Sequence, residues 1–175
     1  PTMPFYYVQI APFDYGKERN SAFLRESQLM TLALEGTGMA VTMDIGDPKN
    51  IHPPNKTEVG RRLALWALAR TYGMGLTCSG PVYAGSKSLR GKMILAFDHA
   101  ERGLVLRANK QGKGFRIAGP DSVFRDAKVQ VNGKTLAVWH PAIKHPRAVR
   151  YAFTNTAEGT LFNKEGLPAS SFRTD

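Results

Sequence analysis

Cysteine is almost missing from this chain: Cys78 stands alone among 175 residues. An internal disulfide framework is therefore excluded, and cytoplasmic and periplasmic compartments fit such low cysteine content equally well. No run of eighteen apolar residues occurs, so no segment reads as a membrane-spanning helix and no membrane partner is expected. A charged n-region, an apolar h-region and a cleavage site are also missing. Instead the chain opens Pro1-Thr2-Met3-Pro4 and enters the apolar run Phe5–Ile10 at once. That opening implies that preceding residues were removed or lie on another chain, and then the missing leader says nothing about export. The four histidines (His52, His99, His140, His145) form no HExxH pair and have no cysteine at ligand spacing. Neither metal nor cofactor is expected.

Acidic side chains are few, 14 against 24 Lys plus Arg, for a net charge of +10. Such an excess raises a polyanionic partner as a question. The basic residues are spread along the chain, however, and the densest pair, Arg61-Arg62, lies on an otherwise apolar helix. No nucleic-acid partner is expected. The hydrophobic fraction of 42% suffices for a buried core, and eleven prolines and seventeen glycines, scattered, imply many turns.

Two regions differ in periodicity. Up to about Gly75, strand and helix signals alternate. Phe5–Ala11 reads as a strand covered on both faces of a parallel sheet. Ser21–Glu35 reads as a helix stopped by Gly36 and Gly38, and Met39–Ile45 as a second buried strand. A polar, proline-rich loop, Gly46–Pro54, leads to a further helix. Asn55 is placed to cap it, Glu58 sits three positions on as in a capping box, and Gly73 ends it. Val59, Leu63 and Trp66 make its apolar stripe, widened by Leu65, Leu68 and Tyr72. This order is that of βαβ units. From about Cys78 the helical period ends, and short strands recur at 92–97, 103–107, 114–118, 128–131, 135–139 and 148–153. Asn132-Gly133 is a hairpin signal between two of them. Such runs predict an antiparallel β-sandwich, with the boundary between Gly75 and Gly85.

In open α/β sheets, sites form beyond the carboxyl ends of the strands. The loop 46–54 follows the second strand, so His52 occupies a catalytic position, with Pro53 and Pro54 restricting the backbone behind it. Asp47 and Asp44 are near enough in sequence to orient its ring. Taken alone, such a histidine in a polar loop is more often merely solvated than catalytic.

Further motifs change the weighing. Asp44-Ile45-Gly46-Asp47, Ile51-His52-Pro53-Pro54-Asn55-Lys56 and Val59-Gly60-Arg61-Arg62-Leu63 together resemble the histidine block of the sialate O-acetylesterase family. This family belongs to the SGNH-type hydrolases and has relatives acting on acetylated xylan. Upstream, Pro4–Gln9, Leu24-Arg25-Glu26-Ser27-Gln28 and Gly38–Thr42 are similar to its stretch before the histidine. Downstream, Ser79-Gly80-Pro81 with Tyr83, Phe115–Gly119, Ala148–Ala152, Glu165–Ala169 and Phe172–Asp175 are similar to its trailing β region. The likeness covers nearly the whole chain.

The resemblance implies an α/β fold class: residues 1–77 as the C-terminal part of a flavodoxin-like SGNH hydrolase domain, and 78–175 as a jelly-roll-like antiparallel β-sandwich. It implies hydrolysis of acetyl esters on sugars, of the sialate 9-O-acetyl or acetylxylan type, by a serine that a histidine deprotonates beside an oxyanion hole. His52 is the histidine's counterpart. Many SGNH hydrolases carry an aspartate three residues earlier, where this chain has Lys49, so Asp47 is the first choice of acidic partner and Asp44 the second. A backbone carbonyl holding the ring would make a dyad instead.

The family's serine motif and its oxyanion-hole glycine and asparagine have no match here. Ser79, Ser86 and Ser88 read as ordinary loop residues, with no strand leading into a nucleophile elbow. The implied partner is thus the N-terminal part of the same protein, carrying serine and oxyanion hole. An acetylated sugar is the implied substrate, and periplasmic or secreted the implied location. The rival reading is a non-catalytic carbohydrate-binding β module.

The remaining features read as structural. Cys78 is expected as a buried thiol and Arg25 and Glu26 in packing and ion pairing. Tyr83, Phe97, Phe115, Tyr151 and Trp139 are expected in a core rather than a sugar platform. Arg173 is placed to dock the tail on the first region.

Overall fold

A parallel strand pair needs a crossover of a dozen or more residues, usually helical, and the start of this chain is built that way. In the computed structural model, which describes residues 3–107 and 113–175, β1 (Phe5–Val8) and β2 (Thr37–Ala40) pair in parallel from Phe5 opposite Thr37 to Val8 opposite Ala40. Helix α1 (Ala22–Met30) and a 3₁₀ turn over Thr31–Ala33 cross between them. Gly36, at φ +79°, takes the turn into β2.

Both strands are shorter than the apolar runs predict. β1 is not covered on both faces in this chain, since Phe5 is 63% exposed and Val8 is exposed as well. Beyond β2, Val41, Thr42 and Met43 are buried but leave the ladder. Their carbonyls find other donors: Arg62 Nη1 reaches the Val41 oxygen, and the Gly159 amide reaches that of Met43 at 2.8 Å. Apolarity reports burial here, and non-local hydrogen bonds decide where the strand ends.

Helix α2 (Lys56–Trp66) starts as its sequence predicts, with Asn55 Oδ1 accepting from the Glu58 amide at 3.1 Å. The reciprocal half of a capping box is not made, because the Glu58 carboxylate is held by Arg61 and Arg62. A π turn, Ala67–Thr71, prolongs the helix, and Gly73 at φ +68° follows it. The buried line of α2 runs through Arg62 and Trp66, whereas Tyr72 is exposed. Gly38 makes this packing possible: a Cβ there would stand 2.5 Å from the Trp66 indole, whose Nε1 donates to the Met39 carbonyl at 2.9 Å.

Past residue 78 the chain is β-structure. One four-stranded antiparallel sheet has the order β3 (Val82–Leu89), β4 (Lys92–Asp98), β9 (Thr135–Trp139), β8 (Lys128–Asn132). A second has the order β12 (Phe172–Arg173), β10 (Ala148–Tyr151), β6 (Phe115–Ala118), β7 (Arg125–Asp126). β5 (Leu104–Leu106) and β11 (Leu161–Asn163) form an antiparallel pair. The chain is thus a mixed, β-rich fold with few helices. Ser86 and Ser88 belong to β3 rather than to a loop.

The β8–β9 hairpin turns one residue later than Asn132-Gly133 suggests. Asn132 pairs with Thr135, leaving Gly133 (φ +60°) and Lys134 as the turn. Glycine at the first central position of a two-residue turn is the type II′ arrangement.

The core joins both regions. Leu95, Leu136 and Val138 from one four-stranded sheet meet Ile117, Val149 and Tyr151 from the other, and Met39, Val41 and Met43 belong to the same cluster. Tyr151 is wholly buried, and its hydroxyl accepts from the amides of Thr160 (2.7 Å) and Leu161 (2.8 Å). Burial pushes its pKa up.

Candidate active site

The carboxyl ends of β1 and β2 lie side by side, and the chain leaves each into a long loop. The ladder is continued for one step by the Gln9 amide donating to Ala40 O (3.0 Å) and by Thr42 Oγ1 donating to Gln9 O (2.8 Å). The two loops then touch, the Asp14 amide donating to the Pro48 carbonyl at 3.0 Å. Asn155 supports the first loop through bonds to Gly16 O, Arg19 O and the Ser21 amide.

His52 sits in the second loop, four residues before α2, on the solvent side. Its backbone amide donates to Asn50 Oδ1 at 2.9 Å, the next residue, Pro53, is buried, and among the described residues the imidazole has no hydrogen bond. The ring is therefore accessible while the backbone on either side is held. Asp47, half-buried, turns one carboxylate oxygen back to the Lys49 amide at 2.8 Å. Lys49 itself is exposed.

Asp44 is engaged elsewhere. Both of its oxygens are gripped by the Arg62 fork, at 2.7 and 2.8 Å. A carboxylate so occupied is poorly placed to orient a second group, and among the described residues neither Asp44 nor Asp47 makes a hydrogen bond to the His52 ring. Glu58 completes the cluster through Arg61 and Arg62, and their hydrogen bonds hold its carboxyl down at about 2.

A cavity of about 390 Å³ opens beside this face, lined by Pro12, Met43, Asp44, Gly46, Pro48 and residues 156–158 among others. A larger one, about 780 Å³, lies at the amino ends of the same strands, against Pro4, Gly36, Thr37 and Trp66. The smaller cavity is the one at the carboxyl ends of the strands, where open α/β sheets gather their chemistry, but neither His52 nor Asp47 is among the residues lining either cavity.

Two of the three serines weighed in the sequence have other partners. Ser79 is buried, with its Oγ bonded to Gly80 O at 3.0 Å, and Ser86 Oγ meets the Tyr83 hydroxyl at 3.0 Å. Cys78 is a buried free thiol whose pKa burial raises. Among the described residues no group of three or more His, Cys, Asp or Glu could hold a metal ion, and no helix is long and apolar enough to cross a membrane.

Two residues of the first region reach into the second. Arg25, 0% exposed, donates to Ser21 Oγ (2.9 Å), Ser171 Oγ (3.1 Å), Thr154 O (2.5 Å) and Ala152 O (3.4 Å). Burial without a carboxylate lowers its pKa to about 10. Glu26 takes both arms of the Arg173 fork, at 2.9 and 3.1 Å, so the tail does dock on α1. Phe97, Phe115 and Tyr151 are buried, Tyr83 stacks on Phe172 at 5.1 Å, and the Lys92 ammonium covers Trp139 at 4.3 Å. Phe97, Phe115 and Tyr151 lie in the core and Tyr83 packs against it, as expected, whereas Trp139 is half-buried outside the core cluster.

The same fold occurs in a carbohydrate acetylesterase. The crystal structure of that enzyme, XAC1771 from Xanthomonas citri, matches 98% of this chain at 44% sequence identity with a TM-score of 0.91. This chain spans 41% of that protein's length. No family model and no curated protein matches the chain.

The sequence shows Arg62 as one of two adjacent basic residues within the histidine block, and the structure makes it the centre of the loop's support. The available signal was its spacing of four from Glu58 on the apolar side of α2.

Proposed function

We propose that this chain is the histidine-bearing part of a carbohydrate acetylesterase of the SGNH type. The observation that carries the reading is the 44% identity to a carbohydrate acetylesterase over almost the entire chain. The loop after β2, with its accessible His52 and buried Pro53, fits the reading. Residues 1–77 then belong to an SGNH α/β domain whose remainder carries the serine and oxyanion hole, and 78–175 to an associated β-sandwich. The substrate class is an acetylated sugar such as an acetylated sialic acid or xylan, which favours a periplasmic or secreted enzyme.

In the proposed reaction His52 takes the proton of the serine hydroxyl as Oγ attacks the acetyl carbonyl. Backbone N–H groups hold the oxyanion of the tetrahedral intermediate. Collapse breaks the bond to the sugar oxygen, which receives the proton from His52. Water, deprotonated by the same imidazole, then releases acetate from the acyl-serine. Asp47 serves as the acid that steadies the imidazolium.

The test is substitution in the complete protein. His52→Ala is expected to lower acetyl ester hydrolysis by about three to six powers of ten. Asp47→Asn is expected to cost more turnover than Asp44→Asn, whose side chain serves Arg62. Near-normal turnover of His52→Ala would end the assignment.

A further inference from the structure

The loop that presents His52 has two ends, and both are tied to one side chain. Arg62 is 3% exposed. Towards the strand end, its Nη1 donates to the Val41 carbonyl at 2.5 Å, and its two terminal nitrogens grip the Asp44 carboxylate. Towards the helix end, its Nε donates to Glu58 Oε1 at 2.8 Å. Glu58 is in turn the residue whose amide Asn55 caps. The span 45–55 therefore begins and ends at groups that converge on a single guanidinium.

The charges support this. Asp44 and Glu58 face Arg61 and Arg62, two acids against two bases, so the buried Arg62 is fully compensated. The planar fork also matters, since a carbonyl, a carboxylate and a second carboxylate are reached in three directions at once. A lysine ammonium has the charge but not that reach. Between the anchors the loop is stiffened locally by Asp47 Oδ1 on the Lys49 amide, Asn50 Oδ1 on the His52 amide, and Pro48 O on the Asp14 amide.

We infer that Arg62 is a positioning residue, which sets where the His52 imidazole stands by holding both ends of its loop. The catalytic half of this inference rests on the function proposed above, and the loop-holding half does not. Positioning matters because a displacement of about 1 Å at a reacting group costs on the order of a hundredfold in rate.

The experiment uses the complete protein with Arg62→Met, Arg62→Lys and Glu58→Gln. Two quantities are read: hydrogen exchange of the backbone amides in 45–55, and kcat per active site titrated by the acetyl burst, with KM alongside. Arg62→Met is expected to speed exchange in that span by about tenfold or more. It should lower kcat per site by about 10- to 100-fold with KM within about threefold. Arg62→Lys should recover part of the loss, and Glu58→Gln should show a smaller effect in the same direction.

A purely structural role would reduce the titrated fraction and leave kcat per site alone, and that result overturns the inference. If Arg62→Met does not fold, the other two variants decide: unchanged exchange and unchanged kcat per site in both also overturn it. Should His52→Ala keep its turnover, the catalytic reading fails, while the exchange data still judge the loop-holding half by itself.

Discussion

The region before residue 78 and the region after it differ in how much apolar surface they expose and in which large polar side chains they bury. Among the described residues thirteen large hydrophobic side chains are exposed, and ten of them, Phe5, Phe23, Leu24, Met30 and Leu34 included, precede residue 78. The later region instead buries Leu95, Ile117, Leu136, Val138, Val149 and Leu161 completely. The large polar side chains that the earlier region buries are two arginines, Arg25 and Arg62, and Gln9. The β-rich region supplies most of the core, to which the earlier region adds Met39, Val41 and Met43. The earlier region buries two arginines and leaves ten large apolar side chains exposed, which on the proposed function suits a region that meets another surface. On the proposed function that surface is the part of the enzyme with the serine.

The strongest way to break this comparison is to empty the core. Phe115→Ala removes a ring that packs on Tyr151 with centroids 4.4 Å apart. It is expected to cost about 3–5 kcal/mol in a denaturant titration. A loss below about 1 kcal/mol would mean that this core is looser than it looks.

A sharper variant probes the open face. Leu34, 64% exposed here, is replaced by Ser in the complete protein. If another part of the enzyme covers it, stability falls by about 1–3 kcal/mol, the value of a buried leucine. A change within about 0.5 kcal/mol would leave this face as free surface and remove the contrast.

The smallest effect concerns pH. The folded-state pKa of Glu58 is about 2 against an ordinary 4.5. A depressed carboxyl contributes stability above its unfolded pKa and loses it as pH falls through the folded one. The difference in Tm between the wild type and Glu58→Gln should therefore be full above pH 4.5 and shrink towards pH 2. A difference that is flat over that range would contradict the ion-pair cluster around Arg62.

Much of the later region is legible because short apolar runs recur between turn residues. Met93–Phe97 is one such continuous run, and the alternation of its burial appears only in the folded sheet. β3 escaped because Val82–Leu89 is polar, largely exposed and contains Gly85, so it is defined by its pairing with β4 rather than by its own pattern. β7 and β12 have two residues each, too few for any period.

In the earlier region Asn55 announces α2, and the position of His52 after β2 follows from the order of elements. The burial of Arg25 and Arg62 does not, because it depends on acceptors far away in sequence, such as Ser171, Thr154 and Val41. A charged side chain is tolerated inside only when such partners converge. The same dependence hides the division of labour between Asp44 and Asp47. Five residues before His52 and eight before it are both plausible distances, and the sequence does not show that Asp44 is taken up by the Arg62 fork.

Labelling of the complete protein with a fluorophosphonate tests the central claim most directly, since the reagent phosphonylates a serine only when a neighbouring base activates it. Peptide mapping should find one labelled serine, outside these 175 residues, and His52→Ala should abolish the labelling. A labelled Ser79 or Ser86, or undiminished labelling in the His52 variant, would contradict the account.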